Sequence, residues 1–187
     1  ETIEKILKNE IEKGDVIIVS GSIGDHGACI LSEREGINLE IELNSDCESL
    51  WSLITPLFEN NIEIHAMRDP TRGGLSATLY EWALGSQVSI LIEEENIPVK
   101  PQVQTFCEIL GFEPYHLPCE GRVVIALPEK EADKVLNLLK NHPSGKEAKI
   151  IGRVIEKTEN PQVILKTLYG THRILENTSG ELLPRIC

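Results

Sequence analysis

Residues 15–27 read DVIIVSGSIGDHG, and this stretch decides the fold. Asp15 to Ser20 is a short apolar run dominated by β-branched residues, the signature of a strand buried on both faces. Gly21, Gly24 and Gly27 follow at three-residue spacing, and Ala28 to Arg34 then predicts a turn or two of helix. A strand that runs through a glycine loop into a helix lets backbone N–H groups approach an anion, with the helix N-terminus adding partial positive charge. No Gly-Lys-Ser/Thr follows, so the loop is neither a P-loop nor G-x-G-x-x-G. From these residues alone it is equally a tight strand–helix turn.

A second unit of the same order lies downstream. Ile62, Ile64 and Ala66 alternate with polar residues at strand period, and Arg68-Asp-Pro-Thr-Arg-Gly-Gly-Leu75 leads into a helix carrying Leu75, Leu79, Trp82 and Ala83. Around these units the spacing predicts a helix from Ile3 through Glu12 ended by Gly14, and a weak strand or linker at 37–43. It predicts a helix with Leu50, Leu53, Ile54, Leu57 and Phe58, capped from Asn44, Ser45 or Asp46 despite Pro56. Strands are expected at 88–92, 123–127, 149–155, 162–168 and 172–175, and helices at 98–110 and 129–141. Strands and helices mix without strict alternation, so the expected fold is α+β, a mixed sheet covered by helices. The expected division is a linker helix at 1–14, one α+β domain at 15–176 and a flexible tail at 177–187.

Composition narrows the function classes. The 187 residues hold 30 acids against 18 bases, a formal charge of −12, which argues against broad nucleic-acid binding. No apolar run reaches the ~18 residues that a membrane span needs. The lone methionine is Met67, so the chain reads as a fragment or processed product, and no secretory leader is visible. Cys29, Cys47, Cys107, Cys119 and Cys187 are odd in number and widely spaced without a C-x-x-C pair. That pattern disfavours a disulfide framework and a thiolate metal site, and points to a reducing, cytoplasmic compartment.

Three places carry candidate chemistry. Asp25 and His26 set a carboxylate and an imidazole beside Gly24 and Gly27, where they can serve metal or proton transfer, or where His26 is an ordinary polar loop residue. Arg68, Asp69, Thr71 and Arg72 crowd against Gly73 and Gly74; two guanidiniums suit bidentate phosphate contacts, and a diglycine permits close backbone approach. The bland reading, a helix capped by Asp69 or Thr71 with solvated or paired arginines, stands level with it. Cys187 ends the chain in Glu-Leu-Leu-Pro-Arg-Ile-Cys, a tail that can bring a thiol to another protein's active site, or a frayed end with an incidental thiol.

Taken together, VIIVSGSIGDHG at 16–27, MRDPTRGGLSAT at 67–78, CEGRVV at 119–124 and PRIC at 184–187 resemble the HypE family of hydrogenase maturation proteins, in the superfamily of the purine-biosynthesis AIR synthetase (PurM). The resemblance runs along the whole chain but covers the carboxy-terminal part of the family's length. It implies a PurM-like carboxy-terminal domain and a definite reaction. A HypF-type carbamoyltransferase loads a carbamoyl group on the terminal thiol, here Cys187. ATP with Mg²⁺ activates the carbamoyl oxygen, and elimination leaves a thiocyanate whose cyano group passes to iron on a HypC–HypD complex. Glu120 matches the family's glutamate and is the expected base, while Asp25 and His26 match its glycine-loop positions. The family's amino-terminal domain, which builds the homodimer and supplies much of the ATP site, is expected to lie outside these residues. A small-molecule synthetase of the same superfamily, or a non-enzymatic module with a tail thiol, stands as the alternative.

Overall fold

The computed structural model describes residues 10–36 and 42–176. Among these described residues seven strands form one sheet: β1 Asp15–Val19, β2 Ala66–Arg68, β3 Val88–Glu93, β4 Val124–Pro128, β5 Lys149–Lys157, β6 Val163–Lys166 and β7 His172–Ile174. Their order across the sheet is β2-β4-β1-β5-β3-β6-β7. β3 and β6 pair in parallel and the other neighbours are antiparallel. The mixed sheet and the α+β class are therefore as expected. Five α-helices accompany it among the described residues: α1 Asp25–Glu35, α2 Trp51–Glu59, α3 Gly74–Ser86, α4 Pro101–Leu110 and α5 Ala132–Lys140.

β1 lies between β4 and β5, which is why its sequence is an unbroken apolar run. Ile17 and Val19 point into one core with Leu75, Leu79 and Trp82 of α3. Val16 and Ile18 point into the other, with Leu53 and Leu57 of α2 and Val135 and Leu139 of α5. A third, smaller cluster joins α1 to α4 through Ala28, Leu31, Val103, Phe106 and Leu117. The sheet is thus covered on both faces, and the α1–α4 pair sits beside it.

Several boundaries differ from the sequence expectation. Residues 1–9 of the expected first helix lie outside the described residues, and Glu10 to Gly14 are not helical. Their backbone is engaged elsewhere: Ile11 N–H donates to Ser86 Oγ, Glu12 N–H to Asp15 Oδ2 and Gly14 N–H to the Val154 carbonyl. Gly14, at φ +94°, makes the turn into β1. The second strand is Ala66–Arg68 rather than 62–66, because Ile62 N–H turns back to the Leu57 carbonyl at the end of α2. Residues 44–46 do not cap α2, which starts at Trp51 without a side-chain cap; Asp46 is used elsewhere. α4 starts at Pro101, since a proline at the first helical position holds Lys100 extended (ψ 142°). Residues 37–41 and the expected tail, 177–187 with Cys187, lie outside the described residues.

Candidate functional site

Both glycine loops deliver a helix N-terminus to the same piece of chain, residues 114–120. Gly24 and Gly73 adopt the left-handed conformation (φ +80° and +72°) directly before α1 and α3. Gly24 N–H donates to Cys119 Sγ at 3.3 Å, and Gly27 N–H to the Pro118 carbonyl at 3.0 Å. From the second loop, the Pro70 carbonyl accepts from Cys119 N–H at 3.0 Å. A Cβ on Gly27 would stand 2.6 Å from Pro118 Cδ, and one on Gly74 would stand 2.6 Å from the Tyr115 and Leu117 carbonyls. These glycines are needed for close approach between helix and strut. The 114–120 segment ties the loops together and ends on Glu120.

Asp25, the first residue of α1, is buried. Its Oδ2 accepts from Ser22 Oγ at 2.7 Å and from Lys100 Nζ at 2.8 Å, and lies 3.7 Å from Arg122 Nη2. Its Oδ1 is buried without a hydrogen-bond partner, as is Asp46 Oδ2. Arg122 lies over the loop, donating through Nε to the Ser22 carbonyl at 3.0 Å and through Nη1 to Gly121 O at 2.8 Å and Glu48 Oε1 at 3.1 Å. A Cβ on Gly21 would sit 2.9 Å from Arg122 Nε, so the glycine makes room for the guanidinium. Asp46 Oδ1 accepts from Glu120 N–H at 3.1 Å and thereby sets the turn that carries the half-buried Glu120. His26 is partly exposed and its Nδ1 is 2.9 Å from Ser45 Oγ. Beside Asp25 a cleft of about 230 Å³ opens against Lys100, Gln102, Val103 and the segment 42–44.

The second loop is more open. Arg68 pairs with Glu81 of α3, while Asp69 and Arg72 are exposed. Neither Asp69 nor Thr71 caps α3 through its side chain; the Thr71 carbonyl instead accepts Gly74 N–H at 3.1 Å. The structure thus brings Gly24, Gly27 and Gly74 against one strut that ends in Glu120, sets Asp25 and His26 at the head of α1, and leaves the two arginines in the more open second loop.

Cys119, fully buried within the strut, is held as a thiol: burial, aided by the Asp46 carboxylate, pushes its pKa well above the ordinary range. Sequence reasoning missed Arg122, Asp46, Lys100 and this use of Cys119. The one available signal was an arginine set between Gly121 and the apolar run that becomes β4.

Among the described residues no three or more His, Cys, Asp or Glu gather as a metal cage. Mg²⁺ needs only one or two carboxylates when phosphates supply further oxygens. Asp25, with an unpartnered hard oxygen at a helix N-terminus, is a donor of that kind. Among the described residues no helix is long and apolar enough to cross a membrane.

Comparison with known proteins agrees with this architecture. Residues 12–164 match the family model for the C-terminal domain of AIR synthase related proteins. The carbamoyl dehydratase HypE of Escherichia coli K12 is 44% identical over 177 residues, covering 93% of this chain and 51% of that protein. A putative hydrogenase expression/formation protein of Methanocaldococcus jannaschii is 43% identical over 177 residues, covering 95% and 52%. Among solved structures, HypE in complex with ATP superposes with a TM-score of 0.87 at 40% identity over 96% of this chain and 55% of that one. A HypE–HypF complex gives 0.85 at 40% identity over 91% and 55%. The chain spans about half the length of the curated relatives it matches. With its fold, its paired glycine loops and these similarities, the chain belongs to the AIR synthase related proteins, through their C-terminal domain, and its near relatives are HypE hydrogenase maturation proteins.

Proposed function

We propose that this chain is the carboxy-terminal part of an ATP-dependent carbamoyl dehydratase serving hydrogenase maturation. The observation that carries the reading is the convergence of two glycine-led helix N-termini on the strut that ends in Glu120. In this reading a phosphate site and a base stand on one segment, supported by relatives that include a HypE solved with ATP and a HypE solved with HypF.

In this reading Cys187 carries a thiocarbamate delivered by a HypF-type carbamoyltransferase. The carbamoyl oxygen attacks the γ-phosphorus of ATP, ADP departs, and one N–H proton is lost. Phosphate then leaves with the carbamoyl oxygen, the second N–H proton is lost, and the product is a protein thiocyanate. The sum is thiocarbamate plus ATP giving thiocyanate, ADP and phosphate. Glu120 takes the nitrogen proton, its turn fixed by the Asp46–Glu120 backbone contact. Gly24, Gly27, Gly73 and Gly74 keep the two loops free of side chains so that phosphate can approach the backbone at the helix N-termini, while the N–H groups of Gly24, Gly27 and Gly74 hold the loops in shape. Asp69 and Thr71 shape the second loop, and Arg68 and Arg72 at its edge supply positive charge. Asp25, with His26 beside it, is the residue that would hold Mg²⁺, whose bound form neutralises charge on the phosphates. The cyano group would pass to iron on a HypC–HypD complex, the full-length protein would be a homodimer, and the compartment would be cytoplasmic.

Intact mass of the full-length protein and of Cys187→Ala, after incubation with carbamoyltransferase, carbamoyl phosphate and ATP, tests this. A carbamoyl-sized gain confined to the wild type, followed by loss of one water, is expected. ATP cleavage that persists in Cys187→Ala without any adduct on the wild type would instead assign a small-molecule synthetase.

A further inference from the structure

Next to the diglycine loop lies a line of polar side chains that the proposed reaction does not use. Ser76, in the first turn of α3, is buried, and its Oγ donates to the Gly73 carbonyl at 3.0 Å. The same Oγ is 2.7 Å from Nδ1 of His116, which is also buried. His116 Nε2 lies 3.3 Å from Glu113 Oε2. Glu113 in turn receives both terminal nitrogens of Arg173, on β7, at 2.5 and 3.3 Å. Four side chains from α3, the 113–116 turn and β7 are thus in sequence.

A serine hydroxyl has one proton. When that proton is directed at Gly73 O, at 3.0 Å, Oγ is left to accept from His116 Nδ1–H at 2.7 Å. The line then runs from the Glu113 carboxylate through the His116 ring to Ser76 and on to the Gly73 carbonyl. Hydrogen bonding from His116, followed by Arg173, holds the Glu113 carboxyl below its ordinary range, in keeping with an ionised acceptor at that end. The groups that face the line are Glu113 and Tyr115 from its own turn, Ser76 from α3 and Arg173 from β7, with Tyr115 donating outward to Glu94 at 2.7 Å.

Gly73 is the left-handed residue on which the second glycine loop turns into α3, and its carbonyl also accepts Ala77 N–H at 3.3 Å. We propose that His116 is a positioning residue for this loop, held by Glu113 and acting through Ser76 on the Gly73 peptide that presents the helix N-terminus. The proposal deepens the phosphate-binding reading and rests on it for its functional consequence, though not for its geometry. A lost buried hydrogen bond of this kind is worth about 1 kcal/mol, roughly fivefold in an equilibrium constant.

Two readouts keep the proposal and the reading separable. The first is ¹⁵N NMR of the His116 ring and of the Gly73, Gly74 and Ala77 amides in this chain, wild type against Ser76→Ala and Glu113→Gln. A proton on Nδ1, with amide shifts at 73–77 in both variants, is expected. An unprotonated Nδ1, or amides at 73–77 that stay unmoved in both variants, would overturn the proposal whatever the protein binds. The second is Mg-ATP affinity of the full-length protein by calorimetry. His116→Gln, which loses the Nδ1 donor, and Ser76→Ala should weaken binding about fivefold, while His116→Asn, which keeps an amide donor near Nδ1, should recover most of it. Equal weakening by His116→Asn and His116→Gln would reduce His116 to a packing residue and overturn the proposal. Wild-type protein that fails to bind Mg-ATP while the NMR result holds would sink the phosphate reading and leave the hydrogen-bonded line standing.

Discussion

Asp25 meets Lys100 through one carboxylate oxygen alone: Oδ2 is 2.8 Å from Nζ, while Oδ1 is buried with no partner. Lys100 keeps 42% of its side chain exposed, so it can be rehydrated when the carboxylate is gone. Asp25→Asn retains an acceptor for Ser22 and should cost only about 1 kcal/mol of stability. Its effect on ligand should be larger, because the charge that can face Mg²⁺ is lost. Mg-ATP affinity of the full-length protein should fall about 10–100-fold. Urea denaturation beside calorimetry checks the pair; a large stability loss with unchanged affinity would make Asp25 purely structural.

Arg122 is the charge on which three carboxylates depend. Removing it leaves Asp25, Asp46 and Glu48 facing one another across the loop with Lys100 as the remaining cation of this cluster. Arg122→Met should therefore destabilise by about 3–5 kcal/mol, the range for breaking a buried pair on one side. Arg122→Lys keeps the charge but cannot donate at once to the Ser22 and Gly121 carbonyls and to Glu48, and should lose about 1–3 kcal/mol. Chemical denaturation that ranks the lysine variant as low as methionine would show that the fork, and not the charge, holds the site.

Gly74 and Gly85 lie in the same helix and should respond oppositely to alanine. Gly74 has φ +64°, and a Cβ there would be 2.6 Å from two backbone carbonyls. The left-handed backbone costs roughly 1–2 kcal/mol for an L side chain and the overlap about as much again. Gly85 is exposed with nothing within 4 Å of the Cβ position, so Gly85→Ala should stabilise by about 0.5 kcal/mol. Thermal melts of the two variants give the comparison, with a fall of several degrees against a small rise.

The parts of the fold that were legible are those whose burial is local in sequence. β1 announced itself because both of its faces are covered, and α3 because Leu75, Leu79 and Trp82 mark one stripe. Ile62 and Ile64 misled because they are buried without being paired, their period set by packing against the end of α2. Glu10 to Glu12 misled because helical spacing says nothing of an Asp15 carboxylate or a Ser86 hydroxyl that takes the N–H groups first. The role of Arg122 was hard to read because, apart from the adjacent Gly121 carbonyl, its partners Ser22, Asp25, Asp46 and Glu48 lie 74 or more positions away. Asp46 looked like a cap candidate on residue type alone, and the acceptor it became depends on a turn brought to it by the whole sheet.

The buried thiols predict how stability changes in alkali. Burial, with Glu108 nearby, pushes the Cys107 thiol from its ordinary 9.0 up to about 12, and Cys119 is also raised. A thiol raised in the folded state is neutral there while the unfolded chain ionises above pH 9. The stabilisation is therefore complete below about pH 9 and is lost as pH climbs toward the folded values. Each thiol contributes a slope of up to about 1.4 kcal/mol per pH unit within that window. Denaturation midpoints should hold steady from pH 7 to 8.5 and fall between pH 9 and 11, and Cys107→Ala should flatten part of that fall at the cost of a small cavity. The same burial governs labelling at pH 7 in a Cys187→Ala background: exposed Cys47 should react with maleimide first and half-buried Cys29 more slowly, with Cys107 and Cys119 silent until the chain unfolds. Rapid native-state labelling of Cys119 would mean that the strut opens, and with it the contact that joins the two glycine loops.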